Sequence, residues 1–225
     1  MRFTFIRHGQ PQWFTEGRAV DNPGLTDLGR HQAQLTADRL AGTPVDRVLV
    51  SPLQRAVETA EPIVAALGLE AEIAPWLAEI SSPPWHGAPL DHVQRVFEEH
   101  RHKPIDDHWE GLEGGEAFHQ FHRRVTDGLQ QLLDSVGKVR VDEKPALWSQ
   151  DAGDQHTICV AHGGTDASAI GYLLGIDPVP WEWERFITFH ASISEVIPTI
   201  ISGRHSYSLL RLSDIAHLPP GIQTR

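Results

Sequence analysis

The sequence has little cysteine, no long apolar run and a shortage of positive charge. Cys159 is the single cysteine of the 225-residue chain, which excludes an intramolecular disulfide, and its apolar neighbours indicate a core thiol, not a nucleophile. No apolar run approaches the ~18 residues that a membrane helix needs. The chain enters an apolar strand directly, without a signal segment, so we expect a cytoplasmic protein with no membrane partner.

The charge balance restricts the class of partner. The 19 Lys and Arg residues are outnumbered by 30 Asp and Glu residues, which gives a net charge of -11. This charge argues against nucleic-acid binding, but it permits a local cluster of cations that captures a small phosphorylated metabolite. The 40% hydrophobic and 22% charged residues are typical of a globular protein, and we expect one domain over residues 1–225.

Apolar runs alternate with amphipathic segments along most of the chain. This pattern predicts a three-layer α/β/α fold with a mostly parallel central sheet and an inserted helical cap. The predicted strands are 2–6, 46–50, 71–74 and 156–161, with two or three more within 185–212. The predicted helices are 27–41, 52–67, 89–102, 116–136 and 165–174.

Helix starts and irregular segments complete the sequence-based fold. Thr26 is the predicted N-cap of the first helix and Ser51 that of the second, with Pro52 at its first position. Residues 81–123, rich in Pro, Trp and His, are the predicted cap. Residues 137–155 lack periodicity and are predicted to be a flexible surface loop.

Three predicted strands each deliver a residue suited to phosphate at their carboxyl ends, where ligands bind in open α/β sheets. Arg7-His8-Gly9 follows the first strand and Ala161-His162-Gly163-Gly164 the last, while Arg55 follows the run Val48-Leu49-Val50. Two arginines can grip a phosphate through bidentate contacts. Arg55 lies in the first turn of its helix, where free N–H groups favour an anion, and Gly9 and Gly163 let the backbone approach a ligand.

The order and spacing of these segments resemble the histidine phosphatase superfamily, which includes cofactor-dependent phosphoglycerate mutases and broad-specificity phosphatases. The resemblance covers nearly the whole chain. It rests on the segments above together with Leu25-Thr26-Asp27-Leu28-Gly29, Gln32-Ala33, Ser51-Pro52-Leu53-Gln54-Arg55-Ala56, Leu77-Ala78-Glu79, Gly115-Glu116, Arg124-Val125 and Ala216-His217-Leu218.

The resemblance implies roles for particular side chains. It makes His8 the nucleophile that forms a phosphohistidine, and it places His162 beside the phosphoryl group as a donor. Glu79 stands where family phosphatases carry the acid that protonates the leaving oxygen. The other carboxylates considered for that role are Asp91, Glu113 and Glu116.

The sequence departs from the family pattern after Arg7-His8-Gly9. Gln10 stands in place of the usual Glu, and the Asn that often contacts phosphate is missing, for which Gln10, Gln12, Thr15 and Asn22 are candidate replacements. Trp85-His86-Gly87 replaces the usual aromatic-Glu-Gly, so His86 is a candidate substrate contact.

These features predict a phosphatase that needs neither a metal nor another cofactor and hydrolyses a phosphomonoester. A phosphoglycerate mutase is the alternative, although Glu79-Ile80-Ser81-Ser82-Pro83 lacks the Glu-Arg-His-Tyr-Gly of family mutases. A degenerate member that only binds a phosphorylated ligand is a further alternative. A metallohydrolase is disfavoured because the His residues lack companion Cys and an HExxH motif. Monomer and homodimer both remain open.

Overall fold

The computed structural model describes residues 1–142, 146–149 and 155–225. In these residues the strands are β1 (Arg2–Arg7), β2 (Phe14–Thr15), β3 (Arg18–Ala19), β4 (Arg47–Val50), β5 (Ala71–Ile73), β6 (Arg140–Asp142), β7 (Leu147–Trp148), β8 (His156–Ala161), β9 (Ile193–Ile201) and β10 (Arg204–Asp214). The α-helices are α1 (Asp27–Leu40), α2 (Gln54–Leu67), α3 (Leu90–Arg101), α4 (Phe118–Ser135), α5 (Gly163–Leu174) and α6 (Glu182–Arg185).

An eight-stranded sheet forms the centre of the described structure, in the order β5-β4-β8-β1-β9-β10-β7-β6. The strands β5, β4, β8 and β1 pair in parallel, and β9, β10, β7 and β6 extend the sheet by antiparallel pairing. Arg7 is level with Ala161, and Val50 with Val160, so the segments after these three strands leave the sheet at one edge. The predicted α/β fold with a parallel sheet centre is confirmed.

Apolar side chains fill both faces of the sheet, because successive residues of a strand point to opposite sides. On one face Phe3 and Phe5 of β1 pack with α4 and α5, in a cluster that includes the fully buried Trp148. On the other face Ile6 packs with α1 and α2. Cys159 is fully buried in the first cluster, and burial raises the pKa of its thiol, as expected for a core residue. No helix within the described ranges is long and apolar enough to cross a membrane.

The start of α1 agrees with the sequence prediction and the start of α2 does not. Thr26 caps α1, and its Oγ1 accepts a hydrogen bond of 2.9 Å from the Gly29 N–H. The prediction that Ser51 caps α2 is wrong. The helix begins at Gln54, whose N–H donates to Oδ1 of Asn22 at 3.0 Å. The Ser51 hydroxyl contacts His162 at 2.7 Å and accepts from the Leu53 N–H at 3.3 Å, one residue before the helix begins.

The segment predicted as a cap contributes no strand to the sheet. It holds α3, a 3-10 helix at Ile105–Glu110 and the first turns of α4. Its loop docks on the hairpin of β2 and β3, where the Ala19 N–H donates to Ala88 O at 2.8 Å and the Leu90 N–H donates to Gly17 O at 3.0 Å. This contact brings the cap to the same side of the molecule as the segment after β1.

The prediction of a loop over residues 137–155 is wrong where strands β6 and β7 form. Their pairing joins them to β10 at the edge of the sheet. Residues 143–145 and 150–154 of that range lie outside the described structure.

Candidate functional site

Four side chains predicted from three separate segments meet at the carboxyl edge of the parallel strands. The His8 and His162 rings lie 5.1 Å apart between centroids, and Nε of Arg55 is 3.2 Å from Nε2 of His8. His8, Arg55 and His162 are all buried, with exposed fractions of 3%, 3% and 0%. Arg7, the last residue of β1, is partly buried beside them. The parallel register therefore assembles the cluster that the sequence motifs predicted.

Hydrogen bonds orient the imidazole of His8. Its backbone N–H donates to Ala161 O at 3.0 Å, and its Nδ1 lies 2.7 Å from Gly9 O. A carbonyl only accepts, so Nδ1 carries the proton and Nε2 presents a lone pair toward the Arg55 guanidinium. Burial lowers the pKa of His8 well below its usual range, and His162 and the arginines lower it further. His8 is therefore neutral near neutral pH, with Nε2 unprotonated.

Both arginines keep their charge, although Arg55 is buried and Arg7 is partly buried. Burial lowers the pKa of Arg55 to about 10, which still leaves a cation near neutral pH, and Glu79 opposes that lowering. The Arg55 guanidinium also lies 4.6 Å from the ring centroid of Trp13, a cation–π contact that covers it on one side. Arg7 donates through Nη1 to the carbonyl of Thr188, and burial lowers its pKa too.

His162 is the N-cap residue of α5, and a residue that follows the neighbouring strand β4 holds its ring. Its Nε2 shares a hydrogen bond of 2.7 Å with Oγ of Ser51, whereas its buried Nδ1 has no partner among the described residues. Burial and the nearby arginines lower the pKa of His162 well below its usual range. The ring is thus neutral, and the helix N-terminus behind it adds backbone N–H groups that favour an anion.

Glu79 is held by hydrogen bonds from two backbone N–H groups. Its carboxylate accepts from Ile80 N–H and Gly164 N–H, each at 2.9 Å. A Cβ on Gly164 would lie 2.5 Å from Oε1 of Glu79, so only glycine permits this approach. Glu116, one alternative for the acid role, instead forms an ion pair of 2.8 Å with Arg124.

Gly9 is required by packing, whereas Gly163 is not. A Cβ on Gly9 would lie 2.5 Å from the carbonyl oxygen of Gly29, on α1. A Cβ on Gly163 would meet only Thr188 and Arg7, at 3.6 and 3.7 Å, which are ordinary contact distances. Close approach to a ligand, the reason given for Gly163 from the sequence, stays a prediction.

The remaining candidates do not join the cluster. Oε1 of Gln10 accepts from the Thr26 hydroxyl at 2.9 Å, and Gln12 donates to Phe14 O. Asn22 accepts from the Gln54 N–H at the start of α2. His86 is exposed, and its side chain makes no hydrogen bond or ion pair within the described part of the chain. The other two carboxylates, Asp91 and Glu113, are exposed as well.

A third histidine, which the sequence analysis missed, completes the cluster. The ring of His190 lies 5.6 Å from that of His8, and its Nε2 is 3.4 Å from Nη2 of Arg7. Burial lowers the pKa of His190 to about 3, with further lowering from Arg7 and Arg55. His190 precedes β9, whose antiparallel pairing with β1 brings it beside Arg7. Only that long-range pairing could have identified it.

Comparisons with known proteins find relatives of similar sequence and similar fold. Phosphoserine phosphatase 1 of Hydrogenobacter thermophilus is 27% identical over 135 residues, or 59% of this chain and 64% of that protein. A probable phosphoglycerate mutase of Photorhabdus laumondii is 27% identical over 222 residues, covering 95% and 93% of the two chains. A solved structure of a putative alpha-ribazole-5'-P phosphatase of Escherichia coli superposes with a TM-score of 0.70, at 25% identity, covering 95% and 97% of the chains.

A family model for the histidine phosphatase superfamily, branch 1, matches residues 3–202, which include every residue of the cluster described above. This match extends over most of the chain. The chain belongs to the histidine phosphatase superfamily.

Proposed function

We propose that this protein is a metal-independent phosphatase that hydrolyses a small phosphomonoester through a phosphohistidine at His8. The observation that carries the proposal is the state of His8, a neutral buried imidazole with Nδ1 bonded to Gly9 O and Nε2 facing Arg55. An imidazole with one nitrogen anchored and the other unprotonated is a competent nucleophile. Two of the similar proteins are named as phosphatases, which supports hydrolysis over transfer of the phosphoryl group.

In the first step, Nε2 of His8 attacks phosphorus and the bond from phosphorus to the ester oxygen breaks. Glu79 gives its proton to that oxygen, so the organic part leaves as an alcohol. Arg7 and Arg55 hold the other phosphoryl oxygens and offset their charge, and His162 donates through its unpartnered Nδ1–H. The burial of these groups strengthens each contact because it excludes competing water.

In the second step, water attacks the phosphohistidine. Glu79, now a carboxylate, takes a proton from that water, and the bond between phosphorus and Nε2 breaks with return of its electron pair to His8. Inorganic phosphate leaves and the resting site is restored. One carboxyl thus acts as acid and then as base, which general acid–base catalysis permits because its protonation state alternates.

The first experiment is hydrolysis of nitrophenyl phosphate by the wild-type protein and by His8→Ala, with and without a chelator. We expect chelator-resistant turnover that falls by several orders of magnitude in His8→Ala, since no nucleophile remains. An alkaline quench should trap an acid-labile phosphohistidine in the wild type only. His119→Ala, which alters an exposed histidine of α4, is the matched control. Near-normal turnover in His8→Ala contradicts the proposal.

Phosphoryl transfer between positions of a phosphoglycerate is the alternative, favoured by the relative named as a probable phosphoglycerate mutase. Assaying a phosphoglycerate for both inorganic phosphate and the isomeric product separates the two activities. Release of phosphate supports the phosphatase, and retention on the isomer supports the mutase. A wild-type protein that binds phosphate but neither turns over nor becomes labelled is a binding protein.

A further inference from the structure

Thr188 is a buried polar residue whose side chain the proposed mechanism does not use. It is 3% exposed and lies in the segment that leads into β9. Its carbonyl accepts a hydrogen bond of 2.5 Å from Nη1 of Arg7. Its hydroxyl oxygen, Oγ1, is buried and has no hydrogen-bond partner among the described residues. The backbone of Thr188 thus holds an arginine of the cluster, and its hydroxyl is available for another contact.

The Thr188 hydroxyl and the Nε–H of Arg7 both lie next to Gly163, the first residue of α5. A Cβ on Gly163 would be 3.6 Å from Oγ1 of Thr188 and 3.7 Å from Nε of Arg7, the two nearest atoms outside its own helix and chain neighbours. Nε of Arg7 is also buried without a hydrogen-bond partner in the part of the chain that the structure describes. Two buried donors without partners therefore meet at the start of one helix.

The segment that carries Thr188 is anchored on both sides of the strand end. The Ala191 N–H donates to Arg7 O at 3.0 Å, at the end of β1. The Phe189 N–H donates to Oγ of Ser213, on β10, at 2.8 Å. These bonds fix the backbone next to Thr188, so its hydroxyl keeps its place relative to the cluster. A donor fixed in this way can stabilise charge that develops in a reaction without first being reoriented.

The chemistry of these groups favours an anion as their common partner. Nε of Arg7 can only donate, because a guanidinium offers no acceptor, and a buried donor without an acceptor carries a free-energy cost. The N-terminus of α5, which begins at Gly163, favours negative charge at the same place. The proposed mechanism already puts phosphoryl oxygens on Arg7, and the Thr188 hydroxyl lies beside the same guanidinium.

We infer that the Thr188 hydroxyl is a further contact to the substrate, and that it donates a hydrogen bond to an oxygen of the transferring phosphoryl group beside Nε of Arg7. The inference rests on the proposed function, and it adds a neutral donor to the charged groups of that site. The charge on the phosphoryl oxygens is shared among all the donors that surround them, so loss of this hydroxyl should weaken both phosphate binding and turnover.

Thr188→Val tests the inference, because it keeps the branched side chain and the carbonyl that holds Arg7 but removes the hydroxyl. We expect kcat/KM for nitrophenyl phosphate and the calorimetric affinity for inorganic phosphate to fall about tenfold or more, as for a lost hydrogen bond to a charged group. Thr188→Ser keeps a hydroxyl and should retain most of both. The free energy of unfolding of Thr188→Val in urea without phosphate should not fall, since no hydrogen bond to the protein is lost.

Thr157→Val is the matched control. Thr157 is also buried, at 1% exposed, and its Oγ1 likewise has no hydrogen-bond partner within the described ranges. It lies near the start of β8, at the end of that strand away from His162. Its replacement should leave phosphate affinity and turnover at the wild-type level. A loss in Thr157→Val as large as in Thr188→Val would assign the effect to core packing and overturn the inference.

The outcomes separate this inference from the proposed function. If Thr188→Val hydrolyses nitrophenyl phosphate and binds phosphate as the wild type does, the phosphatase proposal stands and the inference is overturned. Equal losses in Thr188→Val and Thr188→Ser also overturn it, because the hydroxyl is then not the group responsible. If the wild type hydrolyses no ester, the phosphatase proposal fails and phosphate binding decides the inference. Weaker binding by Thr188→Val than by the wild type and Thr188→Ser then supports it, and equal binding or no binding overturns it.

Discussion

At the scale of single residues, two neighbours of the histidines decide which ring nitrogen is available for chemistry. The carbonyl of Gly9 accepts from Nδ1 of His8 and so leaves Nε2 unprotonated, as the proposed nucleophilic role requires. Ser51 contacts Nε2 of His162, and a hydroxyl that donates there leaves the proton on Nδ1. The two rings thus present opposite functions to the same space, one a lone pair and the other a donor.

Glu79→Gln tests the acid role at this scale. A glutamine keeps the shape and one of the two contacts to backbone N–H groups, since its amide nitrogen cannot accept, and it cannot give a proton. We expect turnover of an alkyl phosphate, whose leaving oxygen needs that proton, to fall by about 100-fold or more. Nitrophenyl phosphate, with a good leaving group, should slow much less. The assay is kcat for glycerol phosphate and nitrophenyl phosphate side by side.

Glu113→Gln serves as the control because it alters an exposed carboxylate of the cap region. It should leave both rates at the wild-type level. Equal slowing of the two substrates in Glu79→Gln would remove Glu79 from the acid role and return attention to the other carboxylates.

At the scale of elements, helix α4 braces the segment that carries Glu79. Nη1 of Arg124 donates to Trp76 O at 3.2 Å and to Ala78 O at 2.9 Å, and Glu116 holds the guanidinium through a two-point ion pair. The segment before Glu79 contains only a short 3-10 helix of three residues. Its position therefore depends on this contact from a neighbouring helix.

Arg124→Gln is predicted to act through Glu79. We expect kcat for an alkyl phosphate to fall about tenfold with little change in KM, since misplacing a catalytic group costs rate more than binding. Arg124→Lys should show a similar fall in kcat, because a lysine cannot bond several carbonyls in one plane. Adding Arg124→Gln to Glu79→Gln should cost nothing further, as measured in a double-mutant cycle.

Arg123→Gln is the matched control, since Arg123 is the preceding residue of α4 and is exposed. Additive losses in the double variant would contradict the positioning role and indicate a separate effect of Arg124 on the fold.

The sequence predicted what depends on local pattern and on parallel strand ends. Thr26, Arg7, His8 and His162 follow from such patterns, because each lies at the end of a strand or the start of a helix. His190 could not be predicted, since it reaches the site through antiparallel pairing of distant strands. The cap assigned to Ser51 was wrong for a related reason: its hydroxyl bonds His162, 111 residues away.

At the scale of the whole molecule, burial that serves the site also makes stability depend on pH. His8, His162 and His190 have lowered pKa values in the folded state, chiefly through burial. The unfolded chain binds protons at these groups more readily, so the free energy of unfolding falls as pH falls below about 6.5. Above that pH they are neutral in both states, so they do not affect how the free energy of unfolding varies with pH.

Glu182 acts in the opposite direction at higher pH. It is fully buried against α5, its carboxylate has no hydrogen-bond partner within the described structure, and burial raises its pKa to about 8. The folded state therefore holds a proton that the unfolded state has already lost above about pH 4.3. Its stabilising contribution is fully present below that pH and is lost as pH rises toward 8.

Glu182→Gln should therefore flatten the decline of stability between about pH 6.5 and pH 8, where one proton accounts for up to about 1.4 kcal/mol per pH unit. The measurement is the free energy of unfolding in urea at several pH values across that range. Glu184→Gln, on the same short helix but exposed and paired with Arg225, is the control and should keep the wild-type slope. A wild-type slope in Glu182→Gln would mean that the buried carboxylate is ionised in the folded protein. It would then need a counter-charge, for which Arg185 is the candidate. In this structure the Arg185 guanidinium donates to the carbonyl of Asp177 instead.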